Sequence, residues 1–298
     1  MVHNHSHPDP GHRLEKNLYL TMLLNFLITV VEVLGGIVSG SLSLLSDAIH
    51  NFSDGIAMVV SYVAIRLSKR PRTLKYTFGL KRAELLAAII NASTLIVISF
   101  FLIKAAIERF SNPLPITGAL MLVVAAVSLL ANVIGAGLVR RGSDQNINMR
   151  AAYFHLLSDV VSSLAVIIGA VFIMAFNITW IDPALTILIS LYILKEAFGI
   201  VKESVDIILM STPTDIDITQ IQRALEAVPG VKNIHHVHLW KMNDADIHFE
   251  AHIDVEDIPV SLTAGIRGEI ELRLHDAYDI NHTTLQFECD SCLTKGLI

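Results

Sequence analysis

The chain has 298 residues, of which 53% are apolar and only 17% charged, too few charges for a soluble protein of this length. Its formal net charge of −6 argues against a nucleic-acid partner. The charges are unevenly placed: long apolar runs fill the first two-thirds, and the last third is polar, acidic and rich in His, a pattern of a membrane domain followed by a soluble one.

Residues 1–13 form a polar, His-containing tail with His3, His5, His7 and His12; such a tract serves either as a weak metal binder or as a disordered leader. It lacks the basic and apolar regions of a signal peptide, so the first apolar run is expected to act as its own insertion signal. Six apolar segments follow, near 16–38, 43–67, 83–109, 116–140, 148–176 and 179–203. Each supplies the ~20 residues needed to cross a hydrocarbon core of ~30 Å. Lys and Arg gather in Arg66 to Lys75, Lys81-Arg82, Arg140-Arg141 and Arg150, whereas the loops around Ser39, Ser111 and Asn177 have none. The positive-inside rule therefore places the N-terminus, both basic loops and the C-terminal domain in the cytoplasm. The expected organisation is a tail (1–13), a six-helix transmembrane domain (14–210) and a cytoplasmic metal-binding and dimerisation domain (211–298).

The second segment carries His50 and Asp54, and the fifth carries His155 and Asp159. On a helix, a spacing of four puts both side chains on one face, one turn apart. Two such faces turned together offer two imidazoles and two carboxylates, a set suited to tetrahedral Zn²⁺. An ionisable group in the hydrocarbon costs at least ~2.5 kcal/mol on insertion scales, so such a group marks a functional site. Asp47 shares the stripe of His50 and Asp54. It is read as a carboxylate orienting His50, with a fifth ligand or an entrance group as alternatives. Asn25, Glu32, Asn91 and Asn132 are expected to hydrogen-bond between helices or line a cavity.

Past Pro213 the pattern becomes α-β-β-α-β: a helix over 218–228, strands over 231–242 and 247–255 joined by a turn at Asn243–Asp246, a helix over 262–275 and a strand over 283–288. It predicts a small α+β domain, an antiparallel sheet backed by helices. Strand alternation places His236 with His238, and His248 with His252. His236, His238 and His252, with Glu288, Cys289 and Cys292, form the candidate cytoplasmic metal ligands, thiolate and imidazole favouring Zn²⁺.

Four stretches together resemble the cation diffusion facilitator family, which includes bacterial and eukaryotic zinc transporters: Ser43 to Asp54, Tyr76 to Glu84, His155 to Asp159, and His236-Val237-His238-Leu239-Trp240. The resemblance implies a homodimer with a six-helix membrane domain and a ferredoxin-like cytoplasmic domain. It implies export of a divalent metal in exchange for protons, with transport ligands His50, Asp54, His155 and Asp159. The His-Asp/His-Asp combination is similar to that of zinc-selective members, with Cd²⁺ or Co²⁺ as possible passengers. His238, His252 and Glu288 match positions that hold metal in some relatives, and Cys289 and Cys292 resemble a Cys pair of certain zinc transporters. Arg66 to Lys75 lacks the Asp and His that build a further site in some members, and Arg140 to Arg150 lacks their His-rich loop.

The expected function is Zn²⁺ export against protons by alternating access, Zn²⁺ being substrate and also a regulatory ligand of the tail. The rivals are a passive divalent-metal channel and a membrane-bound metal sensor. An intramembrane metallohydrolase is disfavoured, since no His-Glu-x-x-His is present. The expected setting is integral, multi-pass and in contact with lipid, and the short loops point to a bacterial inner membrane.

Overall fold

A computed structural model describes residues 10–68, 70–143, 147–243, 246–292 and 295–298. Six long helices come first: α1 (Pro10–Ser39), α2 (Leu42–Ser68), α3 (Ala83–Ser111), α4 (Gly118–Ser143), α5 (Ile147–Phe176) and α6 (Ile181–Ile208). They fall on the six apolar segments. α1 starts earlier than expected, taking in residues 10–13 of the anticipated tail; His3, His5 and His7 lie outside the described residues. Among the described residues four helices are long and apolar enough to cross a membrane: Ala83–Ser111, Gly118–Arg140, Tyr153–Phe176 and Ile181–Ile208. The apolar stretch Leu23–Ser39 of α1 is shorter, and α2 carries the polar stripe of Asp47, His50 and Asp54.

Two compact units divide the chain, one of residues up to 60 with 90–200, the other of 61–89 with 201–298. In the first, large apolar side chains such as Phe26, Phe101 and Leu188 point outward, as lipid requires, and small or polar ones sit inside. A Cβ on Gly35 would come within 2.6 Å of Val124, so glycine there sets how closely α1 approaches α4. Ser128 and Ser163 join α4 to α5 at 3.2 Å, and Ser46 and Ser190 join α2 to α6 at 3.3 Å. Asn91 bonds Ser53 at 3.1 Å, as the reading of that residue expects; Asn132 bonds Ser128, on its own helix.

The start of α2 is held by a residue that the sequence does not single out. Asp182, in the first turn of α6 and fully buried, accepts from the Ser41 and Ser43 hydroxyls, each at 2.6 Å, and from the Leu42 N–H at 2.8 Å. It supplies acceptors for N–H groups that a helix N-terminus leaves unpaired. The helix carrying His50 is thereby anchored to α6.

The second unit contains α7 (Ile218–Glu226), β1 (Val231–Lys241), β2 (Ile247–Val255), α8 (Val260–Tyr278) and β3 (His282–Glu288). Asp217 caps α7 by accepting from the Thr219 N–H at 2.8 Å. Ile221 and Leu225 of α7, Ile270 and Leu274 of α8, and Phe249 and Ile253 of β2 build one buried core. The sheet order is β1-β2-β3. β1 and β2 pair antiparallel, but β3 runs parallel to β2, correcting the expectation of a wholly antiparallel sheet. The cause is α8, a crossover helix that returns the chain to the same end of the sheet before β3 begins. The turn at Asp244-Ala245 lies outside the described residues.

β1 is not regular. Its register with β2 shifts between His235 and His238, and His236 has φ 54°. This bulge breaks the alternation, so Ile234 and His235 are both buried and His236 and His238 exposed. The backbone N–H groups of His236 and Val237 donate to Gly296 and Leu297 at 3.1 and 2.7 Å, so the last residues of the chain satisfy the bulge. Lys295 anchors that segment by pairing with Asp254 and Asp290, and its ammonium holds the Asp254 carboxyl below its ordinary range.

Candidate metal centres

The two His-Asp pairs meet. The His155 imidazole Nε2 lies 3.4 Å from Asp54 Oδ2 and 3.6 Å from Asp159 Oδ2. His50 Nε2 lies 3.6 Å from Asp54 Oδ2 and 3.9 Å from Asp159 Oδ1. Ligand atoms bonded at ~2.0–2.1 Å to a tetrahedral ion stand roughly 3.3–3.4 Å apart, so these contacts approach the edges of such a tetrahedron. The imidazole rings are 6.1 Å apart, centre to centre. Asp54 Oδ2, His155 Nε2 and both carboxylate oxygens of Asp159 are buried with no hydrogen-bond donor or acceptor. Buried polar atoms without partners are costly, and four groups converging on one point are what a cation would satisfy.

Access differs among the four. The Asp159 side chain is 2% exposed and that of His155 30%. A cavity of about 230 Å³ opens beside them, lined by His50, Ser158, Asp159, Ser162 and Tyr192 among others. Tyr192 places its ring against that of His50 and bonds Ser158 at 3.1 Å. Asp47 does not take the orienting role expected of it. It accepts from the Ser162 hydroxyl, and His50 Nδ1 has no partner. Asp47 lies on the same stripe but faces α5 one turn away from the imidazole.

The second unit brings together His235, His252, Glu288 and Cys292, whose nearest ligand atoms all lie within 4.8 Å of one another. His235 Nε2 is 2.8 Å from Glu288 Oε1, and His252 Nδ1 is 3.3 Å from Glu288 Oε2. Cys292 Sγ is 3.5 Å from His252 Nδ1 and 3.5 Å from Glu288 Oε2. Asn233 Oδ1 bonds the other His235 nitrogen at 3.0 Å, fixing its ring. The hydrogen bond to Glu288, with burial, keeps the Cys292 thiol protonated above its ordinary range. A metal here must displace that proton. Of the expected ligands, His252, Glu288 and Cys292 join the cluster. His236 and His238 do not: the bulge turns both outward, where His236 stacks on His252 with ring centres 4.8 Å apart. Cys289 is exposed. His235 takes the place read for His238, and only the doubled His at 235–236, against a strand period of two, hinted at it.

His248 serves elsewhere in this unit. It is buried, its ring against those of His282, Trp240 and Phe78, and beside it Lys81 pairs with Asp246 at 2.9 Å. Burial, and then the neighbouring His282, push the His248 imidazole below its ordinary value.

Comparison with known sequences decides the family. Residues 18–209 match the cation efflux transmembrane domain, and residues 213–289 match the cytoplasmic domain of cation efflux proteins. The chain belongs to the cation efflux family. Its members are transporters of divalent metals rather than enzymes. The chain is 39% identical to the zinc transporter ZitB of Shigella flexneri, over 98% of this chain and 94% of that one. It is 34% identical to the metal cation efflux system protein CzcD of Cupriavidus metallidurans, covering 97% and 90% of the two chains. It is also 34% identical to a cadmium, cobalt and zinc/H(+)-K(+) antiporter of Bacillus velezensis, covering 97% and 92%.

Proposed function

We propose that this cation efflux protein exports Zn²⁺ from the cytoplasm in exchange for protons, by alternating access at His50, Asp54, His155 and Asp159. The observation that carries the reading is the convergence of those four side chains, from two helices, with unpaired atoms of Asp54, His155 and Asp159 and the His50 Nε2 turned on one another. Two neutral imidazoles and two carboxylates neutralise a dication and suit zinc over harder cations; Cd²⁺ and Co²⁺, which appear in the names of relatives, would be weaker cargo. Protons compete for the same groups, since metal binding needs neutral His and ionised Asp. Imidazole titrates near neutrality, so a modest pH difference across the membrane changes occupancy. The inward-facing site takes Zn²⁺, the helices rock, and the outward-facing site exchanges it for protons. Moving two positive charges out against a negative interior costs ~2.3 kcal/mol each per 100 mV, which counter-moving protons offset. The working unit is a homodimer in a bacterial inner membrane, residues 14–210 transporting, 211–298 joining the protomers, both termini cytoplasmic.

The test is Zn²⁺ uptake into proteoliposomes under an imposed pH gradient, wild type against Asp159→Ala. Saturable, gradient-driven uptake that disappears in the variant is expected. Flux indifferent to the gradient points to a passive channel, and no flux in either to a sensor.

A second reading concerns the tail. His235, His252, Glu288 and Cys292 form a complete mixed N/O/S set for a resident Zn²⁺ that ties β1, β2 and the segment after β3 together. Such an ion regulates by steadying the cytoplasmic domains of the dimer. Zinc-induced thermal stabilisation that survives loss of Asp54 and Asp159 supports it; no stabilisation in that background counts against it.

A further inference from the structure

A second pair of carboxyl groups lies behind the four metal-facing side chains. Glu32 of α1 is fully buried, and Asp47 of α2 is 2% exposed. Asp47 reaches hydrogen-bonding range of the Glu32 carboxyl. The Asn51 side-chain amide donates to Glu32 Oε2 at 2.8 Å, and the Ser162 hydroxyl donates to Asp47 Oδ1. Ser128 of α4 also stands within hydrogen-bonding range of the Glu32 carboxyl, whose Oε1 is buried. The charged and titratable neighbours are Asp159, which acts on both Glu32 and Asp47 from α5, and His50, which acts on Asp47 from its own helix.

Two carboxylates in contact out of water cannot both be ionised, because the repulsion is unscreened there. A shared proton solves the arrangement: it fills the contact between the two carboxyls and leaves one negative charge, which Asn51 and Ser162 stabilise. A metal ion is a poorer solution, since those two donors already occupy lone pairs that it would need. Ser162 also lines the cavity beside His50 and Asp159, so the pair communicates with the cavity through one hydroxyl.

We propose that Glu32 and Asp47 form a proton-carrying site of the exchanger, separate from the metal ligands and loaded from the cavity through Ser162. A proton from cavity water passes to Ser162 Oγ as the Ser162 O–H proton passes to Asp47 Oδ1; the new O–H then bridges to Glu32. Release reverses these transfers when the cavity faces the other side. The inference rests on the exchange reading above and adds a place for a proton that does not compete with Zn²⁺ for its ligands.

The test uses the full-length protein in proteoliposomes. The logarithm of the steady-state Zn²⁺ accumulation ratio is measured against the imposed pH difference. Each coupled proton contributes about a tenfold ratio per pH unit. Glu32→Gln should lower that slope by one proton, about tenfold less accumulation per pH unit. A residue that only packs helices changes the approach rate and leaves the slope alone, so an unchanged slope in Glu32→Gln overturns the proposal. A wild-type slope of zero defeats the exchange reading instead. Infrared spectroscopy of the wild type is decisive whether or not the variants fold. A carbonyl-stretch band of a protonated, water-free carboxylic acid is expected at neutral pH and should be lost in Glu32→Gln and Asp47→Asn. Absence of the band from the wild type overturns the proposal.

Discussion

The intramembrane set and the cytoplasmic set hold four candidate ligands each, and they are built in opposite ways. The first draws two residues from each of two long helices, at one repeated spacing, with His155 30% exposed beside a cavity. The second draws one residue from each of two strands, one from the end of a third and one from the segment beyond it, around a His235 side chain that is 1% exposed. Two helices can slide or tilt and open such a site, whereas a hydrogen-bonded sheet cannot part without breaking its ladder. On the proposed reading the donor chemistry follows the same division: imidazole and carboxylate for an ion that must leave, an added thiol for one that stays. Cargo and resident metal are, on that reading, separated by scaffold as much as by ligand.

The largest expected effect tests the first half of that contrast. Asp54→Ala should lower gradient-driven Zn²⁺ uptake by more than ~100-fold, beyond the 10–100-fold cost of losing an outer partner of a metal ligand. Cys292→Ser should leave uptake driven by the gradient while weakening zinc stabilisation of the cytoplasmic unit. If Cys292→Ser abolished uptake and Asp54→Ala did not, the assignment of the two sets would be reversed.

Next comes the cytoplasmic set itself. In an Asp54→Ala/Asp159→Ala background, His235→Ala should weaken zinc-induced stabilisation, read as a shift of ~10–100-fold in the half-saturating concentration. His238→Ala should shift it far less, because the bulge turns that side chain outward. Equal effects would mean that β1 is regular in solution.

The anchoring of α2 gives a smaller effect, on stability. Asp182→Ala removes the acceptor for two hydroxyls and the Leu42 N–H. It should cost about 2 kcal/mol or more, as a lost cap together with orphaned buried donors. Thermal unfolding in detergent would show it, with Asp182→Asn in between.

The cytoplasmic unit carries a pH dependence of known sign. His248 is held below its ordinary 6.5, so the unfolded chain takes up its proton first as pH falls. The stability from the neutral, buried ring is complete above that value and is lost as pH falls through the folded one. Melting temperature should therefore drop between neutral and mildly acidic pH, less steeply in His248→Gln. Smallest of all, Asn91→Ala removes one interhelical hydrogen bond, worth ~0.6 kcal/mol on average in membrane proteins.

What could be read from the sequence follows the same contrast. The juxtaposition of His50, Asp54, His155 and Asp159 was legible because a helix fixes which residues share a face; length and apolarity alone mark only four of the six helices as spans, and α2, with its polar stripe, is not one of them. β1 shows the limit. Strand alternation pointed to His236 and His238, and a one-residue bulge, pinned by Gly296 and Leu297 some sixty residues later, put His235 inside instead. Asp182 stayed hidden for a related reason, because its partners at Ser41, Leu42 and Ser43 lie far away in sequence and no periodicity links them. The direction of β3 depends on where α8 delivers the chain, and the role of Asp47 on which face of α5 presents Ser162. Local periodicity was readable in each case; the distant partner that overrides or completes it was not.

The central claim, that cargo and resident zinc are held by different donor sets, is most directly tested by zinc X-ray absorption on the full-length protein in lipid, with the cytoplasmic cluster disabled by His235→Ala and Cys292→Ser. The bound zinc should show four light ligands, two of them with imidazole scattering, and no sulfur. That shell should vanish in Asp54→Ala/Asp159→Ala. A six-oxygen shell, or the same spectrum after both carboxylates are removed, would contradict an intramembrane site built from the two His-Asp pairs.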